Sequence, residues 1–251
     1  RYNKVNKIYR GEKMRDDFER EIYGTQHLDY DDVQKIVSKK LLGSLAWMIF
    51  GLAITGIVGF FVTTNDTVQM TVINLFTPLM FLELAVVFIF SMMAYKASVM
   101  AVRAMFILYA ALNGLTLSIL GLIYTGESLT YIFLGTVVYF SCLALYGYIT
   151  KEDLSKYQTF VFGALIALII VSVVNMFMKS GPLEYMLSYA GVLIFSAFTA
   201  IDVNRIKKNL TEYALEDSSI LNRIQIVGAL NLYLDFVNLF LYLLRIFGKK
   251  R

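Results

Sequence analysis

Three carboxylates stand inside long apolar runs of the sequence. Glu83 lies between Phe81-Leu82 and Leu84-Ala85-Val86, Asp202 in Phe198-Thr199-Ala200-Ile201-Asp202-Val203-Asn204-Arg205, and Asp235 in the run from Asn231 to Arg245. An ionisable side chain in hydrocarbon costs at least ~2.5–3.5 kcal/mol, so it persists where it faces the protein interior and has a partner, and it then marks an ion or proton path. Around Asp235 the polar residues Asn231, Asp235, Asn238, Tyr242 and Arg245 follow at spacings of 4, 3, 4 and 3. On a helix this is one stripe, set among Leu, Phe and Val that suit lipid. Such a seam lines a pathway inside a bundle, or it glues helices by hydrogen bonds.

Asp202 comes ~25 Å along its helix from Tyr185 at 1.5 Å per residue, which predicts a place at the cytoplasmic end of the sixth span. Arg205, three residues on, offers either a functional partner or a plain surface pair worth a few tenths of a kcal/mol. Glu83 comes ~10 Å into the second span with no base beside it. It reads as a neutral acid making a hydrogen bond, or as an upper station of the same path. On the third span Tyr109, Asn113 and Thr116 share a face, and Gly114 and Ser118 allow close helix approach. Asn175 falls near the outer end of the fifth. For these residues helix packing and pore lining both remain open.

The elements that must position these groups are membrane helices. About 20 apolar residues span ~30 Å of hydrocarbon, and seven stretches come close: Leu41–Val62, Phe76–Tyr95, Ala104–Tyr124, Tyr131–Tyr148, Tyr157–Met178, Tyr185–Asp202 and Gly228–Phe247. Short polar links predict antiparallel neighbours. A water-soluble bundle is excluded by the faces: Leu165–Val174 is apolar nearly all round, without the polar stripe of a soluble helix. The composition agrees, at 58% hydrophobic and 17% charged, against roughly 45–50% and about 25% in soluble domains.

Lys and Arg divide by side. Residues 1–40 carry ten, and the second, fourth and sixth connections carry two, two and four, whereas the first, third and fifth carry only Lys179. The positive-inside rule then predicts a cytoplasmic N-terminus. Arg245, Lys249, Lys250 and Arg251 break the pattern, so the last segment either crosses against the rule or folds back as a re-entrant hairpin. Seven crossings are expected, because Asn231–Phe247 holds no Gly or Pro at which to turn. Residues 1–40 read as a cytoplasmic amphipathic segment, with Phe18, Ile22, Val33, Ile36 and Val37 among charges, and 41–251 as the transmembrane domain. The first 40 residues, polar and mixed in charge, do not read as a signal peptide. Asp29, Asp31 and Asp32 lack the glycine and distal glutamate of an EF-hand loop and read as a solvated turn and helix start. His27 reads as exposed.

No enzyme motif is present: no HExxH, no GxSxG, no phosphate loop, no CxxC. One cysteine, Cys142, and one histidine leave no soft metal site, and no cofactor is expected. Intramembrane aspartyl proteases carry a glycine beside the second aspartate, where this chain has Leu234 and Phe236. The net charge of +4 belongs to membrane-flanking loops, so nucleic acid is not expected as a partner.

Three segments carry a family likeness: Ala111-Leu-Asn-Gly-Leu-Thr-Leu-Ser118, Phe198-Thr-Ala-Ile-Asp-Val-Asn-Arg-Ile-Lys207, and Gly228-Ala-Leu-Asn-Leu-Tyr-Leu-Asp-Phe-Val-Asn-Leu-Phe-Leu-Tyr-Leu-Leu-Arg-Ile246. The chain resembles the Bax inhibitor family, the transmembrane Bax-inhibitor-motif proteins, from about residue 41 to its end. The resemblance implies seven helices with the last one central, and a pH-sensitive calcium leak. It also implies that two aspartates on the last two helices, matching Asp202 and Asp235, share a proton and control the inner gate. A glutamate of the second helix matches Glu83. The chain departs from the pattern at Ile201, commonly Tyr or Phe. It departs again near Ala94, where a latching base is expected and Lys96 is the closest.

The reading is therefore an all-α integral membrane protein, a pH-sensitive calcium leak channel of a bacterial plasma membrane, gated by Asp202 and Asp235. Glu83 belongs to the path, and Asn231, Asn238, Asn113 and Arg205 support it. The three carboxylates suit a hard cation, which would meet them transiently as permeating Ca²⁺. The partners expected are the bilayer, calcium ions and protons. The alternatives are a proton-coupled cation transporter, or a regulatory protein acting through membrane partners such as a protease.

Overall fold

A computed structural model describes residues 30–94, 96–215 and 217–251. By contacts the chain divides between Lys35 and Ile36. Of the first unit, Tyr30–Lys35 opens a helix with Asp31 and Asp32 in its first turn, where acids favour the helix dipole, and Lys35 pairs with Asp32 at 3.0 Å. Phe18, Ile22, His27 and Asp29 lie outside the described residues, as does Tyr95.

Among the described residues nine α-helices follow in order: α1 Tyr30–Thr64, α2 Asp66–Asn74, α3 Phe76–Met93, α4 Val99–Leu117, α5 Leu120–Ile123, α6 Gly126–Ile149, α7 Gln158–Met178, α8 Gly181–Glu212 and α9 Ser218–Phe247. A single 3₁₀ turn, Leu154–Tyr157, precedes α7. Among the described residues seven helical stretches are long and apolar enough to cross a membrane, with α4 and α5 together making the third. The seven expected spans are all present. No β-strand occurs among the described residues beyond an isolated bridge, Tyr124 to Lys250.

Helix α9 is the core. Leu232, Tyr233, Asp235, Phe236, Val237 and Leu239 are all buried, and at 100° per residue they cover about 200° of its circumference, with the face of Asn231, Leu234 and Asn238 half-buried. Helices α8, α6 and α4 pack against it. The expectation of a lipid-compatible surround to the polar seam is corrected here: the apolar positions of α9 face protein. Lipid tails are as apolar as leucine side chains, so composition alone leaves that choice open. Helices α3 and α7 carry the outward face, with Phe81, Leu84, Phe88, Phe160 and Phe177 exposed.

The predicted spans were too short at the basic end of the bundle. Helix α8 runs ten residues past Asp202 to Glu212, and α9 starts ten residues before Gly228. Hydropathy measures only the length that suits hydrocarbon. Helical hydrogen bonding continues through Arg205, Lys207 and Lys208 because Ile206 and Leu210 on α8, and Leu221 and Ile224 on α9, stay buried. Asp202 therefore lies ~15 Å inside the end of its helix, rather than at it. Helix α9 is unbroken over 30 residues, ~45 Å at the helical rise, which excludes a re-entrant hairpin.

Close approaches set the register. A Cβ at Gly228 would lie 2.7 Å from Ile206 Cδ1, and one at Gly191 would lie 2.6 Å from the Tyr242 ring. Gly147 of α6 lies directly against the backbone of Ala200 on α8. At the α7–α8 turn Lys179 takes φ 52°, a left-handed helix cap. Asn175 Oδ1 accepts from the Ser180 amide at 3.1 Å. Asn175 thus shapes a turn.

Candidate functional site

In the α8–α9 register Ile206 faces Gly228 and Gly191 faces Tyr242. Asp202 is then level with Asn231 and about one helical turn, ~5 Å, from Asp235 along the axis. Both aspartates are buried. Asp202 Oδ1 pairs with Arg205 Nη2 at 3.1 Å, with Asp202 nearly covered and Arg205 partly so. Asp235 Oδ2 is buried and has no hydrogen-bond partner among the described residues. The Arg205 guanidinium thus serves Asp202, and Asp235 keeps a buried carboxylate oxygen without a partner. A buried polar atom without a partner costs about 1–3 kcal/mol.

The remaining members of the seam diverge from it. Asn231, Asn238 and Tyr242 are half-buried and Arg245 is exposed. Asn238 Nδ2 donates to the Leu234 carbonyl of its own helix at 2.8 Å. Tyr242 stacks on Phe195 with centroids 5.8 Å apart, and Arg245 lies over the Tyr242 ring and 3.8 Å from Glu184.

Glu83 belongs to a different cluster. Thr116 Oγ1 donates to Glu83 Oε1 at 2.7 Å, bringing α3 to α4. Tyr233 OH, on α9, donates to Asn113 Oδ1 at 3.2 Å and lies 2.6 Å from Thr55 Oγ1 of α1. Tyr109 meets Tyr233 edge to face at 5.9 Å. The structure joins Glu83, Thr116, Asn113, Tyr109, Tyr233 and Thr55 into one polar layer across four helices. Glu83 is not brought to the aspartate pair. Among the described residues no three His, Cys, Asp or Glu side chains gather to hold a metal ion.

Thr55, Tyr233 and Asn204 were not singled out from the sequence. Asn204, two residues after Asp202 and buried, donates to the carbonyls of Gly147 at 3.3 Å and Glu152 at 3.2 Å, and accepts from the Leu154 amide at 3.1 Å. It ties the α6–α7 connection to α8 beside the aspartates. The only signal in the sequence was an asparagine within a helix, where it lowers propensity unless it has partners. Lys208 reinforces the tie through Asp153 at 2.7 Å, and that bond, with the Ser155 amide, holds the Asp153 carboxyl below the ordinary aspartate range.

The family model described as inhibitor of apoptosis-promoting Bax1 matches residues 37–251, nearly the whole of the chain. The chain belongs to the Bax inhibitor family. Among its relatives, the inner membrane protein YbhL of Escherichia coli is 40% identical over 211 residues, covering 82% of this chain and 89% of that protein. A protein of Borreliella burgdorferi is 36% identical over 219 residues, covering 86% and 94%. One of Deinococcus radiodurans is 35% identical over 222 residues, covering 88% and 94%. The matched region holds every Bax inhibitor residue described above. At the departure near Ala94, Ala94 is buried and Lys96 is exposed, in none of the ion pairs found among the described residues. In this Bax inhibitor protein the base on Asp202 is Arg205, from the same helix.

Proposed function

We propose that this Bax inhibitor protein is a pH-controlled calcium leak of a bacterial plasma membrane, with the N-terminal end of α1 on the cytoplasmic side. The observation that carries the reading is the buried pair: Asp202 of α8 against the Arg205 guanidinium, and Asp235 of the core helix α9 with a buried oxygen that has no partner among the described residues. With one proton on the pair, two carboxyl groups and one guanidinium sum to zero charge, and α8 and α9 can pack closely. Loss of that proton leaves two negative charges against one positive in a poorly solvated place. Like charges so placed disfavour double ionisation, so α8 and α9 are pushed apart at this level. The same step presents oxygen ligands to a hard cation. Glu83, in the separate polar layer with Thr116 and Asn113, supplies a second acidic point on the route. The orientation rests on the division of Lys and Arg between the two sides.

Calcium flux into liposomes, measured across a range of pH, tests the reading. Wild-type flux should depend on pH, and Asp235→Asn and Asp202→Asn should each flatten that dependence whatever they do to its size. The double variant should add little, because the two groups titrate as one unit. A wild-type pH midpoint retained in Asp235→Asn would sink the gating role and leave Asp235 as helix glue. Reporters fused at Lys151 and Lys207 should read cytoplasmic, and one at Glu127 external.

A further inference from the structure

Helices α1 and α6 do not close on each other along their length. Between them lies a cavity of ≈ 750 Å³, walled by α1 from Ser38 to Ala53 and by α6 from Phe133 to Tyr148, and floored by Val203 of α8 and Phe236 of α9. The α1 wall is ~22 Å long at the helical rise, more than one leaflet's share of a ~30 Å core. Leu42, Ile49 and Leu145 are exposed along its edges, so it opens sideways to the bilayer. Its lining is almost wholly apolar.

Its polar end differs. Ser38 Oγ and Tyr148 OH meet across the mouth at 3.0 Å. Lys207 Nζ donates to the Tyr148 carbonyl at 2.7 Å and stands 5.3 Å from the centre of the Tyr148 ring. Lys39 follows Ser38 and is exposed. Neither lysine enters an ion pair found among the described residues. A deep apolar slot thus ends near the Lys207 ammonium, with exposed Lys39 next to Ser38 in the chain, and no carboxylate is paired with either among the described residues.

We propose that the groove holds one anionic phospholipid, with an acyl chain between α1 and α6 and its phosphate at Lys207 and Lys39. The apolar walls take the chain, and the charge at the mouth selects the headgroup. A zwitterionic lipid brings its own ammonium to the same place and loses that selection. The chain rests on Val203 and Phe236, the residues that directly follow Asp202 and Asp235, so an empty groove leaves a void beside the aspartate pair. This site depends on the membrane fold alone and is independent of the ion the protein conducts.

Native mass spectrometry of the full chain in mild detergent tests it, with equimolar phosphatidylglycerol and phosphatidylcholine of identical chains. Phosphatidylglycerol should be retained in preference, one molecule per protein. Lys207→Gln and Lys39→Gln should each weaken that retention about fivefold, the usual contribution of one lysine beside an anionic headgroup. Ala53→Trp, which fills the slot from an exposed wall position, should abolish retention of both lipids. Ile166→Trp, on the outer face of α7, should change nothing. Melting of each variant checks the fold, and Ser141→Phe replaces Ala53→Trp should the latter unfold. Equal retention of the two lipids, a preference that survives both lysine substitutions, or retention that survives a folded filling variant would each overturn the site.

Discussion

Removing the Asn204 side chain should cost more stability than any other single polar truncation near the aspartate pair. Asn204→Ala deletes three hydrogen bonds: two donated, to Gly147 and Glu152, and one accepted from Leu154. These losses are unequal. Glu152 is exposed, so its carbonyl regains water. The Leu154 amide belongs to a buried residue and loses its partner. The Gly147 carbonyl lies in the last turn of α6, where helices leave carbonyls unpaired, and it too is buried. A stranded buried group costs about 1–3 kcal/mol and a lost bond to a solvated group much less, so the two stranded groups sum to about 2–6 kcal/mol. At about 2–4 °C per kcal/mol for a domain of this size, the midpoint of thermal unfolding should fall by about 4–24 °C. Purified protein in mild detergent, melted with Trp47 fluorescence as the signal, gives the number. Lys208→Gln is the control, since it cuts an exposed tie to the same connection and should shift the midpoint little. A fall of under about 2 °C in Asn204→Ala, or one no larger than that of Lys208→Gln, would refute the reasoning.

Glu83→Gln should leave the fold intact, because its amide oxygen can still accept from Thr116 Oγ1, and should lower calcium flux in liposomes; unchanged flux would reduce Glu83 to a structural hydrogen bonder. Gly147→Val drives a branched side chain into the Ala200 backbone and should cost at least about 1–3 kcal/mol as an overpacked contact, whereas Gly163→Ala meets open space and should gain about 0.4–1 kcal/mol, both read from melting midpoints. Asp153 carries a lowered folded pKa, chiefly from Lys208. Its contribution is therefore complete above the ordinary aspartate pKa and is lost only as pH falls through the lower folded value. Amide exchange at Leu154 and Ser155 should stay slow across neutral and mildly acidic pH, and protection that fades on approach to neutral pH would contradict the assignment.

The architecture was legible because bilayer length imposes a period on hydropathy: runs such as Leu165–Val174 admit no water-facing side. The helix ends were not, since a helix does not stop where lipid does. Buried Ile206, Leu210, Leu221 and Ile224 carry α8 and α9 past the charged residues that ended the predicted spans. The burial of the apolar side of α9 was illegible from its composition for a related reason. Leucine and phenylalanine gain nearly as much beside lipid as beside protein, and only the family likeness distinguished the two.

The site divides along the same physical line. Groups whose cost is set by their own surroundings were visible: a carboxylate in an apolar run is an anomaly wherever the chain folds, so Glu83, Asp202 and Asp235 stood out, and Arg205 lay within one turn of Asp202. Their grouping was not visible, because it depends on which helices touch. Thr116 meets Glu83 across 33 residues, and Tyr233 meets Thr55 across 178. Tyr233 and Asp235 are two apart on α9, about 200° around the helix, so one serves the layer with Glu83 and the other the pair with Asp202. That angle separates the two polar groups around the core helix, although α9 holds both. A rotation or shift of α9 would therefore disturb both groups together, which gives the aspartate pair a mechanical route to the Glu83 layer through a single rigid element.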